Sequence, residues 1–363
     1  MLYTEAMHRK TGIAGIAKET GLSRSTISRA LNSSPLVSEE TRKLIQETAE
    51  RLNFKPNKAA RSLVNQKVLT IGVVVFSEPA YFWDEVRYGV QKAENDLRDF
   101  GIVVKFFSTN IKNPVEQLEV IKTLEAETLD GLIISPNDPS VIVAEIDRLA
   151  ERNIPVVTVS NDMPESRRFC HIGCDFYQAG RTAGFLMDRF IKNGKSVAII
   201  TFTDTINSIR DRIIGFREVI EKSNHLNILG PYRLSRTGEG VEEFITNLVQ
   251  TLPDLGGIFV SYGILEQVAR VIANLGKGDD IVLLGYDLSK EIANLVRSNT
   301  VDAVITQEPF YQGYYSVRIM ADYLLENKKP PLSVINTKLE IVTRENLTCY
   351  EHEAEYCSFL FEI

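Results

Sequence analysis

Residues 12–63 read GIAGIAKETGLSRSTISRALNSSPLVSEETRKLIQETAERLNFKPNKAARSL, and this stretch decides how the chain is organised. Its centre predicts two short helices joined by a tight turn at Gly21, because glycine adopts turn conformations that other residues resist. Ser23 is placed to accept a hydrogen bond from the free amides in the first turn of the second helix. Ile27 and Leu31 fall on one face of that helix, which predicts that this face packs inward.

The opposite face of the second helix is polar and carries Arg24, Ser25, Ser28 and Arg29. Two short helices with a tight turn and an outward polar face are typical of a helix-turn-helix, whose second helix enters the DNA major groove. We therefore predict that these four residues contact base edges in double-stranded DNA. A further three are expected to contact phosphates, which fix register without reading sequence. They are Ser23, Thr26 and Asn32.

Three segments in this stretch resemble the DNA-binding headpiece of the lac repressor family. They are Thr26–Asn32, Val37–Arg42 and Pro56–Leu63. The resemblance implies that a hinge over residues 56–67 becomes helical on DNA, with Leu63 as an apolar wedge that bends the duplex from the minor groove. Asn57 and Arg61 are expected to contact DNA beside it. From composition alone, a plain interdomain linker fits this hinge equally well.

The charge of the chain is divided unevenly along its length. Residues 1–67 hold 12 Lys and Arg against 6 Asp and Glu, whereas the remaining residues hold 29 against 42. A basic head on an acidic body suits a protein whose head meets phosphate. The four cysteines are too few to staple a chain of 363 residues, which favours a reducing cytoplasm. No signal peptide and no stretch long enough to span a membrane is expected.

From residue 68 onward, short β-branched runs alternate with amphipathic segments, which is typical of parallel sheets covered by helices on both faces. The elements are too many for one sheet, so we predict an α/β body of two doubly wound parallel-sheet subdomains, behind an all-α headpiece over residues 1–55. The body resembles the periplasmic sugar-binding proteins. Its subdomains are expected to divide the chain by three crossings. The first takes about 68–168 and 304–328, and the second about 169–303 and 329–363.

Ligands of such folds bind outside the carboxyl ends of the strands, so residues that follow a strand are the candidates for an effector site. Phe82 and Trp83 follow the first strand and present faces suited to a sugar ring, although they also fit the core of the first helix. Asn161 and Asp162 follow the fourth strand. A carboxylate there accepts two hydroxyl hydrogens well, although the same sequence is common turn chemistry.

Four more candidates come from the resemblance to sugar-binding members of the family. Arg212 lies in an R-x-x-G-F pattern, and its fork suits vicinal hydroxyls or a carboxylate, with a surface arginine as the alternative. Asp287 ends a Gly-Tyr-Asp motif and Gln307 matches a frequent glutamine. Tyr262 stands where relatives usually carry the asparagine of an Asn-Asp pair, so it is expected to stack on the ligand or donate its phenol instead.

Several function classes find no support in the sequence. There is no phosphate-binding loop of the G-x-x-x-x-G-K-[ST] type, and the four histidines form no catalytic pattern. Cys170, His171 and Cys174 have the spacing of metal ligands, but they lie on a predicted strand, where alternating side chains point to opposite faces. We therefore predict no metal, no cofactor and no enzymatic activity.

These features together predict a ligand-responsive transcriptional regulator that acts as a homodimer on a palindromic operator. The effector is expected to be a monosaccharide or a sugar acid, with a nucleobase as the less favoured choice. A sugar-binding transport protein would share the body but not the basic headpiece. A carbohydrate-active enzyme would need an acid/base pair at catalytic separation.

Overall fold

The structure is a computed structural model, and it describes residues 13–31, 37–52, 68–110, 113–192, 195–203 and 206–350. The chain forms two compact units, residues 1–67 and residues 68–363, which are here called the headpiece and the body. Among the described helices, none combines the length and the apolar character that a bilayer span requires.

The described part of the headpiece contains three helices: α1 Ile13–Thr20, α2 Arg24–Leu31 and α3 Glu39–Arg51. Gly21 has a φ of +69° and makes the turn between α1 and α2. The side chain of Ser23 then accepts a hydrogen bond from the backbone amide of Thr26 at 3.1 Å. Ser38 caps α3 in the same way, with a bond of 3.3 Å from the amide of Thr41. Both helix starts therefore form as the N-cap rule predicts.

One apolar cluster holds the three headpiece helices together. Ile16 of α1, Ile27 of α2 and Ile45 of α3 are completely buried. Leu22 and Leu31 are partly buried against the same cluster. The inward face that the sequence predicts for α2 is confirmed.

The body alternates strands with helices over most of its length. Its strands are β1 Leu69–Phe76, β2 Ile102–Thr109, β3 Gly131–Ile134, β4 Val156–Val159, β5 Cys170–Gly173, β6 Lys195–Thr201, β7 Leu226–Arg233, β8 Leu255–Val260, β9 Val282–Tyr286, β10 Ala303–Thr306, β11 Val334–Asn336 and β12 Glu340–Val342. Its helices are α4 Ala80–Leu97, α5 Pro114–Ala126, α6 Pro139–Glu151, α7 Phe176–Phe190, α8 Asn207–Glu221, α9 Val241–Thr251, α10 Leu265–Asn274, α11 Lys290–Arg297 and α12 Pro309–Glu326, with a short 3-10 helix at Arg98–Phe100. The alternation has two exceptions in the described body, where β5 follows β4 and β12 follows β11 with no helix between them.

These strands form two sheets of six strands each. The first has the order β11-β5-β4-β3-β1-β2, and the second has the order β12-β10-β9-β8-β6-β7. All neighbouring pairs are parallel except β10 with β12, which is antiparallel. Each sheet has buried clusters against its helices, so the body has two lobes. The predicted fold class, a helical headpiece followed by two doubly wound α/β lobes, is confirmed.

The division of the body into lobes differs in detail from the prediction. β5 and β11 pair with each other in the first sheet, whereas β10 and β12 pair in the second. The chain therefore passes between lobes after Gly173, after Thr306 and again after Asn336, later in each case than predicted near 168, 303 and 329. The correction arises because β5, β11 and β12 are very short strands, and long-range pairing rather than local pattern assigns them to a sheet.

Each lobe contains two helices that touch backbone to backbone through reciprocal glycines. In the first lobe Gly89 of α4 faces Gly313 of α12, and in the second Gly180 of α7 faces Gly215 of α8. A Cβ atom added at any of these four glycines would lie 1.9–2.1 Å from a backbone oxygen of the facing helix. Only glycine permits this approach. The contact in the second lobe involves Arg212 of α8, because its backbone oxygen is the atom that a Cβ at Gly180 would meet.

Candidate functional site

A cavity of about 290 Å³ lies between the two lobes of the body. It opens where the carboxyl ends of the strands converge, which is the position that parallel α/β folds use for ligands. The first lobe contributes Phe76, Tyr81, Phe82, Trp83, Ser160 and Asn161. The second contributes Phe176, Phe202, Arg212, Arg236, Tyr262 and Asp287, and Gln307 lies at a crossover between the lobes.

Phe82 and Trp83 form an aromatic wall on the first-lobe side. Their ring centroids are 4.9 Å apart in an edge-to-face arrangement, and Trp83 meets Phe76 in the same way at 5.2 Å. Phe82 is 6% exposed and Trp83 4%, and both belong to the core of the first lobe. Both rings therefore pack in the core and also line the cavity, and their contact with a ligand stays a prediction.

Asp287 places a carboxylate in the cavity directly after β9. It has a φ of +65°, in the left-handed region that costs energy for a residue with a side chain. Gln307 donates a hydrogen bond from Nε2 to Oδ1 of Asp287 at 2.6 Å. Burial raises the pKa of Asp287, while the guanidinium of Arg212 and the bond from Gln307 act in the opposite direction. The result is a carboxylate that gains from any further donor, such as a ligand hydroxyl.

Arg212 enters the cavity from α8 and is almost completely enclosed, with 6% of its surface exposed. Its guanidinium carbon lies 3.8 Å from the centre of the Tyr286 ring and 5.0 Å from that of Phe176. One terminal nitrogen donates to the carbonyl oxygen of Ser261 at 3.2 Å. Its Nε atom is buried and has no hydrogen-bond partner among the described residues. Such an atom is costly unless a ligand completes its hydrogen bonding.

Tyr262 lies in the cavity wall, but its hydroxyl is already committed. The phenol donates to the carbonyl oxygen of Ser235 at 3.1 Å, and the ring meets Phe202 edge-to-face at 4.9 Å. Burial raises the pKa of this phenol. The phenol hydrogen of Tyr262 is therefore already used within the second lobe, and stacking of its ring on a ligand stays a prediction.

Asn161 and Asp162 are adjacent in the chain but face different surroundings. Asn161 lines the cavity and donates to the carbonyl oxygen of Pro136 at 3.4 Å. Asp162, predicted to bind the effector, does not line the cavity. Its two oxygens accept hydrogen bonds from Arg168 at 2.5 and 2.7 Å, and one also accepts from Thr158 at 2.8 Å. This corrects the prediction, because the carboxylate is already satisfied within the first lobe.

The charge on Asp162 is stabilised by these partners. Burial opposes its ionisation, but the bonds from Arg168, together with His171 and Thr158, outweigh burial and lower its pKa. His171 is itself buried, which lowers its pKa to about 4 and keeps it neutral at pH 7. Cys174, nearby in sequence, donates its thiol to Oε1 of Gln307 at 3.2 Å. Within the described residues, no cluster of three or more histidine, cysteine or carboxylate side chains could hold a metal ion.

Sequence reasoning missed several residues that line the cavity, among them Tyr81 and Arg236. Tyr81 precedes the predicted aromatic pair on α4; burial, followed by the charge of Asp287, raises the pKa of its phenol. Arg236 follows β7, an edge strand whose mixed burial and internal proline conceal it in the sequence. A search for residues after each strand would have found Arg236 if that strand had been recognised.

The second helix of the headpiece, α2, presents a polar surface. Arg24, Ser25 and Arg29 are exposed, and the hydroxyl of Ser23 lies 2.7 Å from that of Ser25. Thr26 is partly exposed beside them, while Ser28 lies on the same helix. The other residues predicted to contact DNA lie outside the described residues. They are Asn32, Asn57, Arg61 and Leu63.

Two family profiles match the chain. The profile described as "Periplasmic binding protein domain" matches residues 71–329, and the one described as "Bacterial regulatory proteins, lacI family" matches residues 12–57. Together they cover both units that the structure separates.

Curated relatives span nearly the whole chain. Catabolite control protein A of Priestia megaterium is 24% identical over 326 residues, which cover 86% of this chain and 92% of the relative. The ribose operon repressor of Halalkalibacterium halodurans is 24% identical over 354 residues, covering 92% and 96%. Both relatives are regulators by name, and both align across headpiece and body.

Solved structures match the body. The glucose-galactose binding protein GanP from Geobacillus stearothermophilus superposes with a TM-score of 0.70 and 25% identity, covering 77% of this chain and 99% of that one. A periplasmic ribose ABC transporter structure from Conexibacter woesei gives 0.72 and 23%, covering 80% and 97%. The second likeness shows the fold alone.

Proposed function

This chain belongs to the lacI family of bacterial regulatory proteins, is a DNA-binding transcriptional regulator and has a periplasmic binding protein domain as its body; from that premise we propose a function for its cavity. The cavity binds a polyhydroxylated effector, a monosaccharide or a sugar acid, and its occupancy controls how tightly α2 holds an operator. The protein works in the cytoplasm as a homodimer.

The observation that carries the proposal is the pairing of polar groups with aromatic faces in one cavity. Asp287 offers acceptors for hydroxyls, and Arg212 offers an unpartnered buried donor. Phe82 and Trp83 line the same cavity, and aromatic rings suit the C–H surface of a sugar ring. A volume of about 290 Å³ is at the small end of the roughly 300–1,000 Å³ usual for small-molecule sites, so it suits one sugar ring. The names of two relatives, which refer to ribose and to glucose and galactose, agree with this choice.

On the DNA side, we assign base reading to the exposed polar face of α2. Arg24 and Arg29 carry the planar donor forks that recognise guanine, Ser25 is an exposed short donor, and Ser28 belongs to the same helix. Two copies of this helix reading successive major grooves require a palindromic operator with half-sites about one helical turn apart. The hinge residues Asn57, Arg61 and Leu63 extend the contact into the minor groove.

Control requires that the effector and DNA bind with different affinities to two arrangements of the lobes. Closure of the cavity rotates one lobe against the other and changes the spacing of the hinges in the dimer. By linkage, the operator must change effector affinity by the same factor by which the effector changes operator affinity. This reciprocity is a quantitative requirement of the proposal.

The test begins with an operator selected from a random DNA pool by the purified full-length protein. Monosaccharides and sugar acids are then screened for those that raise the melting temperature, because a ligand that binds only the folded state stabilises it. We expect a palindromic selected sequence, and a stabilising ligand should change operator affinity by about 5- to 150-fold. In Asp287→Ala, operator binding should remain and the response should disappear. Operator affinity that stays the same with every stabilising ligand would refute the proposal.

A further inference from the structure

The cavity contains a second cationic side chain, Arg236, that the functions assigned so far do not use. It follows β7 in the loop over residues 234–238, and it lines the cavity on the second-lobe side. Its guanidinium carbon lies 5.0 Å from the centre of the Phe202 ring, which is a cation–π distance. The side chain is partly exposed, so it can reach a ligand without leaving this ring.

The loop that carries Arg236 is held in place by its neighbours. The carbonyl oxygen of Ser235 accepts the phenol hydrogen of Tyr262 at 3.1 Å, and the hydroxyls of Ser235 and Thr237 lie 2.8 Å apart. Tyr262 in turn packs against Phe202, the ring on which the guanidinium rests. The residues next to Arg236 in the chain, and the ring under its guanidinium, are therefore held by hydrogen bonds and ring contacts.

No carboxylate neutralises Arg236 within the described part of the chain. Burial is the one influence that shifts its pKa, and it lowers that pKa, whereas a nearby carboxylate would raise it. The other cation in the cavity, Arg212, also retains a buried donor atom without a partner. The carboxylate of Asp287, by contrast, already accepts a bond from Gln307. On the second-lobe side the cavity therefore has one buried donor atom without a partner, on Arg212, and a second guanidinium, on Arg236, without a carboxylate partner among the described residues.

We propose that the effector is an anionic sugar whose carboxylate or phosphate is held by Arg236, while Asp287 accepts hydrogen bonds from its hydroxyls. The inference rests on the proposed function and narrows it from sugars in general to charged ones. An arginine fork binds either anion with two parallel hydrogen bonds.

The experiment measures binding of matched probes to the full-length protein by calorimetry. D-Glucuronate, D-galacturonate and D-gluconate are compared with D-glucose and D-galactose, and D-glucose 6-phosphate tests the phosphate source. We expect at least one acid to bind at least tenfold more tightly than its neutral counterpart. Tighter binding of the hexose phosphate than of the acids would assign the site to phosphate.

The matched variants are Arg236→Gln and Arg233→Gln. Arg233 is an exposed arginine three residues earlier that does not line the cavity. Arg236→Gln should weaken binding of the anionic probe by roughly 10- to 100-fold, as expected for a lost charge-assisted hydrogen bond. The same variant should leave binding of the neutral counterpart unchanged, and Arg233→Gln should change neither.

Two results would overturn the inference. One is binding of neutral sugars at least as tight as that of the anions. The other is an equal loss of both classes in Arg236→Gln. If neutral sugars bind at least as tightly as the anions and alter operator affinity, the proposed function stands while the anionic effector falls. If no probe of either class binds, both fall.

Discussion

Gln307 donates a hydrogen bond of 2.6 Å to Asp287, and it does so from the point where the chain leaves the second lobe for the first. The same residue accepts the thiol of Cys174 at 3.2 Å on its side-chain oxygen and the hydroxyl of Thr337 at 2.9 Å on its backbone oxygen. Cys174 and Thr337 are the first residues of the other two crossovers, directly after β5 and β11. One glutamine therefore joins all three connections between the lobes to the carboxylate that faces the ligand.

Asp287→Asn should make the ligand-free protein more stable at pH 7 while it abolishes the effector response. Burial raises the pKa of Asp287, so the folded state binds the proton more tightly than the unfolded chain does. The stability from this group is therefore present below the ordinary carboxyl pKa and is lost as the pH rises through the raised value. Asparagine removes that loss and can still accept the bond from Gln307.

Thermal unfolding of both proteins across pH measures this effect. The advantage of Asp287→Asn should shrink as the pH falls toward about 4, the ordinary value for an aspartate. A variant that melts below the wild type at pH 7 would show that the carboxylate is not under strain from burial.

Asp162→Asn should lower the free energy of unfolding, whereas Asn161→Ala should lower effector affinity, although the two residues are neighbours. Asp162 pairs with Arg168, which is almost fully enclosed, so removal of the charge leaves a buried guanidinium unpaired. We expect a loss of about 3 kcal/mol in the free energy of unfolding with effector affinity retained. Asn161→Ala should weaken effector binding by roughly 1 kcal/mol and cost little stability. Urea unfolding and calorimetry separate the two, and an exchange of these outcomes would return Asp162 to the site.

Gly180→Ala should damage both stability and the effector site. The added methyl would lie 2.0 Å from the backbone oxygen of Arg212, so α7 and α8 must separate and carry the guanidinium with them. Overpacking of this kind costs about 1–3 kcal/mol or more. Gly278→Ala is the control, since its Cβ would meet no atom closer than 3.7 Å. Similar urea midpoints for the two variants would mean that the helix contact is not tight.

Arg29→Ala should weaken operator binding by about 1–3 kcal/mol, because a bidentate contact to guanine has that value. Lys43→Ala removes one positive charge from an exposed position on α3 and serves as the control for general charge. Binding to the selected operator and to a scrambled duplex is measured at one salt concentration. An equal loss on both duplexes would make Arg29 a phosphate contact instead.

The sequence predicted the headpiece better than the site because the headpiece depends on local signals. Gly21, Ser23 and Ser38 act within four residues of their own positions, and the structure places each where the local rules require. The alternating runs of the body also predicted its two-lobed α/β class.

The remainder depended on contacts between residues distant in sequence. The pairing of β5 with β11 joins residue 171 to residue 334, and no local pattern announces it. Asp162 follows a strand just as Asn161 does, yet the direction of its side chain is set by Arg168. Arg236 was missed because β7 combines exposed residues with a proline.

The reciprocal glycines have a mechanical consequence for the body. Backbone-to-backbone contact holds α4 against α12 and α7 against α8, so each lobe behaves as a rigid unit. Bending is then confined to the three segments that connect the lobes. The angle between the two lobes is therefore the motion that the body permits most easily. A pair of fluorophores with one on each lobe would report effector binding as a change in the distance between them. A pair within one lobe would show no change.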